Sequence, residues 1–252
     1  MKTIAAEIRE GIGWITFQRP HVRNAISMEM VDELQQVLES WRTNPDVKVL
    51  VFTGSGNSFI SGGDLEQFIA ARGREQALPL LSKVGQLLTT IDRYTKPTIA
   101  MINGTAIGGG CEFAASCHFR YASREAVLGF VQIGMHITTG WGGGSRLLEK
   151  LPESKALRLL LTGQRMSAEQ AEKLGFVDGM YPPETLREEV HRLASAIAGQ
   201  PLESIRAYMR LLQWKREGLP LEERIRREIE QCADLWGSDA HVTVVQRFLQ
   251  KK

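Results

Sequence analysis

Apolar residues alternate with polar ones through Ile4, Ala6 and Ile8, break at Glu10-Gly11, and resume at Ile12, Trp14, Ile15 and Phe17, which predicts a β-hairpin. From Ser27 the spacing becomes helical. Val31, Leu34, Leu38 and Trp41 fall on one stripe, and Ser27 stands where an N-cap hydroxyl would accept from the first turn. Val47 to Thr53 predicts a buried strand that runs straight into the glycine-rich segment Gly54 to Asp64. A loop at the carboxyl end of a strand is where α/β folds place their ligands.

The same unit then recurs. A helical pattern from Ala77 to Tyr94 leads to Lys96-Pro97, a strand over Thr98 to Ile102, and a second glycine cluster, Gly104 with Gly108-Gly109-Gly110-Cys111-Glu112. Short strands follow over His118 to Ser123 and Val127 to Val131. A third cluster, Gly140 with Gly142, Gly143 and Gly144, opens onto a helix over Ser145 to Lys150, and Ser167-Ala168-Glu169-Gln170 reads as a capping box. After Gly199 strand signals cease. Leu221, Ile225, Ile229 and Cys232 lie on one helical face, and Glu222 with Arg226 and Glu223 with Arg227 are spaced as i,i+4 pairs on another. The expectation is an α/β unit over residues 1–198 and a helical segment over 199–252, the latter needing another surface to cover its apolar face.

Composition narrows the function classes. In 252 residues, 31 Lys and Arg balance 29 Asp and Glu to a net charge of +2, and the arginines of the C-terminal helix are interleaved with glutamates. No basic block offers the footprint that nucleic-acid phosphates require. Glu7, Arg9 and Glu10 interrupt the start of the chain where a signal peptide would be apolar, and no run of about 18 apolar residues occurs, so neither export nor membrane insertion is expected. Three cysteines, Cys111, Cys117 and Cys232, form no CxxC pair and suit a reducing, cytoplasmic setting. Five scattered histidines, with no HExxH or HxH spacing, give no reason to expect a metal.

The chemistry lies in the glycine clusters. None matches a nucleotide-binding motif. What they offer is exposed main-chain N–H groups: at Gly108-Gly109-Gly110 a ligand can approach the backbone while a helix beginning there points its unpaired donors and positive end at it. That meets the requirement of an oxyanion hole, though tight turns and close packing would use glycines too. Glu112 sits in the first turn of an apolar helix (Cys111, Phe113, Ala114, Ala115), where a carboxylate either caps the turn or does chemistry. His136, close in sequence to the candidate site, reads either as a loop residue or as an acid or carboxylate binder; His118 and Glu125 read as packing and solvated residues, and Cys111 and Cys117 as small buried hydrophobes.

Five segments, in order and in register, resemble the crotonase superfamily, the enoyl-CoA hydratase/isomerase family. They are Gln18-Arg19-Pro20 with Arg23-Asn24-Ala25; Phe59 to Leu65; Asn103 to Glu112; Gly140-Trp141-Gly142-Gly143 with Arg146-Leu147; and Leu161-Thr162-Gly163 with Ala171 and Gly175. The resemblance implies a spiral of repeated ββα units with a helical C-terminal segment, assembled as a trimer or dimer of trimers. It implies an acyl thioester of coenzyme A as substrate, with no other cofactor. By motif, the N–H groups of Gly63 and Gly109 would form the oxyanion hole, Glu112 would be catalytic, and the backbone near Arg23, Ala25 and Ser61 would line the CoA region, with Ser61 and Gly63 nearest the adenine. Phe248 and Lys251 match a region that in the family reaches CoA across a subunit boundary, or else form a frayed end. The acyl-chain pocket would fall to the segment 68–88.

The chain departs from the hydratase pattern at one decisive place. The second hydratase glutamate is replaced by Gln132, whose amide can hold a water but cannot exchange a proton at neutral pH. Thr138-Thr139 stands where a proline is usual. Together with Gly129-Phe130-Val131 and Leu235-Trp236-Gly237, these changes resemble the branch that decarboxylates malonyl-type CoA thioesters such as methylmalonyl-CoA or ethylmalonyl-CoA. The expected activity is therefore an acyl-CoA lyase working through a thioester enolate, hydratase-like or decarboxylating; a CoA-binding paralogue without chemistry and an RNA-binding relative are the other classes.

Overall fold

A computed structural model describes residues 1–250. In chain order the elements are β1 (Ile4–Arg9), β2 (Ile12–Phe17), α1 (Met28–Thr43), β3 (Val49–Gly54), β4 (Ser58–Ile60), α2 (Leu65–Ile69), α3 (Gly73–Asp92), β5 (Thr98–Ile102), β6 (Thr105–Ile107), α4 (Gly109–Ser116), β7 (Phe119–Ser123), β8 (Val127–Gly129), α5 (Gly143–Lys150), α6 (Glu153–Thr162), β9 (Met166–Ser167), α7 (Ala168–Leu174), β10 (Gly179–Tyr181), α8 (Pro183–Ala198), α9 (Leu202–Arg216), α10 (Leu221–Trp236) and α11 (Asp239–Gln250). Residues 1–199 form one compact unit and the described residues from 200 onward a second.

The first unit winds as a spiral. Three successive turns, β3/β4, β5/β6 and β7/β8, each give one strand to a six-stranded sheet, order β1-β2-β3-β5-β7-β10, and the next to a four-stranded sheet, order β4-β6-β8-β9. Successive turns pair in parallel, β3 with β5 and β5 with β7 in the large sheet, β4 with β6 and β6 with β8 in the small one. A turn therefore rises by one strand spacing, about 4.8 Å. The glycine segments after β3 and β5, expected to be loops throughout, each contain one of these strands. Ser58–Ile60 and Thr105–Ile107 are too short to show a period, and each becomes a strand because the adjoining turn supplies its partner.

Alternation along the strands divides the core. Ile15, Phe17, Leu50 and Phe52 face inward, where Phe17, Phe59 and Phe113 meet edge-on at centroid distances of 5.2–5.9 Å. Ile12, Trp14, Val49 and Val51 face the other way and pack with Leu186, Val190 and Ala194 of α8. The hairpin forms as expected, but only Ile4 of its first strand is buried, because β1 is an edge strand paired with β2 alone. Ser27 caps α1, accepting from Met30 N at 3.2 Å, and Ser167 and Gln170 form the capping box of α7. Helix α3 starts four residues before its apolar pattern, with Pro79 inside it.

The second unit is helical. Arg227 pairs with Glu223 at 2.7 Å as its spacing suggests, whereas Arg226 turns to Glu223 and Glu230 instead of Glu222. Leu221, Ile225 and Ile229 of α10 are exposed in the single chain, as is Phe248 of α11. Lys251 lies outside the described residues. No helix among the described residues is long and apolar enough to cross a membrane.

Candidate active site

The site is assembled where three glycine segments meet, at the ends of β4, β6 and β8. Gly108 leaves β6 with a φ of +55°, donates its N–H to Gly129 O at 2.8 Å, and so starts α4 at Gly109. Cys111 pins the same helix from inside: its Sγ donates to Ala106 O at 2.9 Å and accepts from Gly129 N at 3.2 Å, and complete burial pushes the thiol up to about 12. It is a structural thiol.

Gly63 lies on the neighbouring segment. It bridges Ile26 in parallel, through Ile26 N to Gly62 O and Asp64 N to Ile26 O, both 2.8–2.9 Å. In a parallel bridge the central residue's own N–H points to the opposite side. A Cβ on Gly62 would stand 3.8 Å from Gly109 N, so the two segments adjoin. Neither Gly63 N–H nor Gly109 N–H has a hydrogen-bond partner among the described residues. Free donors on adjoining segments are the kind of group that can hold the oxygen of a carbonyl as it becomes an enolate. Arg19 secures the frame, pairing with Asp64 at 2.7 Å and donating to Ala25 O at 2.6 Å, while Asn24 Nδ2 donates to Ser55 O and Ser58 O.

Glu112, 2% exposed, projects from the first turn of α4. Its Oε2 accepts from Trp141 N and Gly143 N, both at 2.8 Å; its Oε1 accepts from Gln132 Nε2 at 2.9 Å and Gly140 N at 3.3 Å. A Cβ on Gly143 would stand 2.9 Å from Oε2 and closer still to the Glu112 stem, so glycine is needed there for the approach. Burial raises the Glu112 carboxyl above the ordinary range, and the four hydrogen bonds pull against it without reversing it. Only Glu112 and Asp64 are buried carboxylates among the described residues, and Asp64 is committed to Arg19.

Gln132, 8% exposed, faces Glu112 through its amide nitrogen, and its buried Oε1 has no partner among the described residues. His136, four residues on at the end of the same short turn, is exposed with a left-handed φ of 58°, and its side chain takes no part in this network.

A pocket of about 280 Å³ is lined by Arg23, Ser61, Thr105, Ile107, Val127 and Arg165. Ser61 N donates to Arg23 O at 3.1 Å, joining two of the expected CoA-region residues. Ala25 is not among the lining residues: it is 7% exposed and its carbonyl is taken by Arg19. Arg165 was invisible in the sequence pattern, since it arrives from before β9, far along the chain. Also missed was the indole of Trp141, which lies against both Gly63 and Gly109; a bulky aromatic between glycines was the available signal.

The sequence model of the family described as enoyl-CoA hydratase/isomerase matches residues 7–252. The chain belongs to that family. Its relatives include the crotonyl-CoA hydratase of Syntrophomonas wolfei, 34% identical over 78% of this chain and 75% of the relative, and the ethylmalonyl-CoA decarboxylase of Bos taurus, 33% identical over 94% and 78%. The crystal structure of an enoyl-CoA hydratase from Bacillus anthracis superposes with a TM-score of 0.92 at 26% identity, covering 99% of this chain and 97% of that one. The mixed α/β spiral with its helical C-terminal segment is thus the crotonase fold, as the five sequence segments implied.

Proposed function

We propose that this protein is an acyl-CoA lyase in which the N–H groups of Gly63 and Gly109 hold a thioester enolate and Glu112 is the single proton-transfer group, and that decarboxylation of a malonyl-type acyl-CoA is the reaction the site fits best. The carrying observation is the Glu112–Gln132 contact: where two carboxylates would be needed to take a proton from water and give one to carbon, one partner is an amide. In the proposed step the bond between Cα and the free carboxylate breaks, CO2 leaves, and the electron pair passes to the thioester oxygen between the two donors. Glu112, whose carboxyl burial holds above its ordinary range, delivers a proton to Cα and is recharged from solvent. Arg23 and Arg165 on the adjoining pocket offer cations to the phosphates of the CoA handle, and no further cofactor enters the proposal.

Hydration is the second reading, favoured by one observation. The orphan Oε1 of Gln132 could accept from a water beside Glu112, which would then have to serve as both base and acid. Incubation with methylmalonyl-CoA, ethylmalonyl-CoA and crotonyl-CoA, with products identified by mass, separates the two. Saturated acyl-CoA from a malonyl thioester is the expected product, and Glu112→Gln should bind the thioester nearly as well while slowing turnover about 10²-fold or more. A 3-hydroxyacyl-CoA as the main product would overturn the decarboxylase reading. Trimeric or dimer-of-trimers assembly and a cytoplasmic location belong to the same proposal; the exposed α10 stripe supports the first and the unpaired cysteines the second.

A further inference from the structure

The indole of Trp141 lies beside the two glycines assigned above to the thioester oxygen. A Cβ added to Gly109 would stand 1.9 Å from Cζ3 and 2.4 Å from Cη2, and a Cβ added to Gly63 would stand 3.3 Å from Cζ2 of the same ring. One indole ring therefore lies against both residues whose N–H groups are free. Phe68 of α2 extends it: its ring centre lies 5.9 Å from the indole, tilted by 52°, and its edge would be 3.1 Å from the same Gly63 Cβ.

This wall is held from behind. The Trp141 main chain donates to Glu112 Oε2, and its carbonyl accepts from Arg146 Nη1 at 2.9 Å. A Cβ on Gly85 of α3 would lie 4.0 Å from Trp141 Cα, and one on Gly140 would lie 3.0 Å from the Leu81 side chain. The segment is thus clamped between the catalytic carboxylate and α3, and Trp141 itself is 5% exposed.

We infer that Trp141, backed by Phe68, is the residue that sets acyl-chain length, confining the substrate to thioesters with a short α-substituent such as methyl or ethyl. The inference rests on the proposed placement of the thioester oxygen between Gly63 and Gly109. With that oxygen fixed, Cα and its substituents meet the indole within the first few carbons, and each methylene that finds room in such a pocket is worth roughly tenfold in kcat/KM. The same apolar face strips water from the α-carboxylate that is to leave.

The test compares wild type, Trp141→Ala and Phe68→Ala in two arms. In the first, kcat/KM is measured on methyl-, ethyl- and butylmalonyl-CoA. The wild type should lose about tenfold or more from ethyl to butyl, and Trp141→Ala should recover most of it, Phe68→Ala less. In the second, calorimetry measures binding of butyryl-CoA and octanoyl-CoA, which needs no reaction; only Trp141→Ala and Phe68→Ala should gain about tenfold for the longer chain. Phe68 is only half-buried, so its variant stands in if Trp141→Ala does not fold. Chain-length preferences unchanged from wild type in both arms overturn the inference. Shifted binding with no malonyl turnover in any protein would leave the wall in place and reject the decarboxylase reading.

Discussion

Replacing Gln132 by glutamate sets an oxygen where the amide nitrogen now stands, 2.9 Å from Glu112 Oε1, with the same side-chain length and little change in packing. If both groups were ionised, their repulsion at that distance would be about 6 kcal/mol at an effective dielectric near 20. That amounts to about four powers of ten in proton affinity, so the pair keeps one shared proton into the neutral range. The variant then has what hydration requires: one carboxylate for the water and one acid for Cα. Steady-state hydration of crotonyl-CoA, followed by loss of the conjugated enoyl absorbance, should rise about 10²-fold over a poor wild type. The shared proton also couples to stability. Folded Gln132→Glu holds a proton that separate carboxylates release in the unfolded chain, so its advantage is full at acid pH and is lost as pH rises through the pair's titration. Wild type should follow the same direction more weakly, because burial alone raises Glu112. A wild type that hydrates crotonyl-CoA as fast as the variant, or a variant no more pH-sensitive in melting temperature than wild type, would refute the reasoning.

Three further outcomes follow from the geometry. Gly109→Pro removes a donor at the first position of α4, where the backbone tolerates proline, but its ring would strike the indole; it should therefore be made in Trp141→Ala, where turnover should fall about 10²- to 10³-fold relative to that parent while CoA binding persists, and unchanged turnover would remove Gly109 from the oxyanion hole. Lys96 is fully buried with Nζ donating to Trp41 O at 2.5 Å and Asn44 O at 2.7 Å at the end of α1, so Lys96→Met should cost about 2–4 kcal/mol in urea unfolding, and a loss below about 0.5 kcal/mol would show those carbonyls to be otherwise satisfied. Light scattering at micromolar concentration should show a trimer or hexamer, and a monodisperse monomer would count against the assembly assigned to the exposed α10 face.

Local pattern determined much of this protein. The stripe of α1, the cap at Ser27, the capping box at Ser167 and the strand Thr98–Ile102 were legible because each depends on residues a few positions apart. So was Glu112, since a carboxylate in an apolar first turn is conspicuous, and so was the absence of a second acid at Gln132. Tertiary structure decided what depends on partners far along the chain. β4 and β6 are three residues each and exist as strands only because the next turn of the spiral pairs with them. Lys96 is buried where the carbonyls ending α1 are brought to it. The donors that hold Glu112 come from positions 20 to 31 residues later, and Trp141 reaches Gly63 and Gly109 from that same distant segment. Which chemical groups the site possesses was set by residue identity and short-range spacing. How they face one another, and how little room is left beside Gly63 and Gly109, was set by the winding of the spiral, because only that brings three separate glycine segments within contact distance.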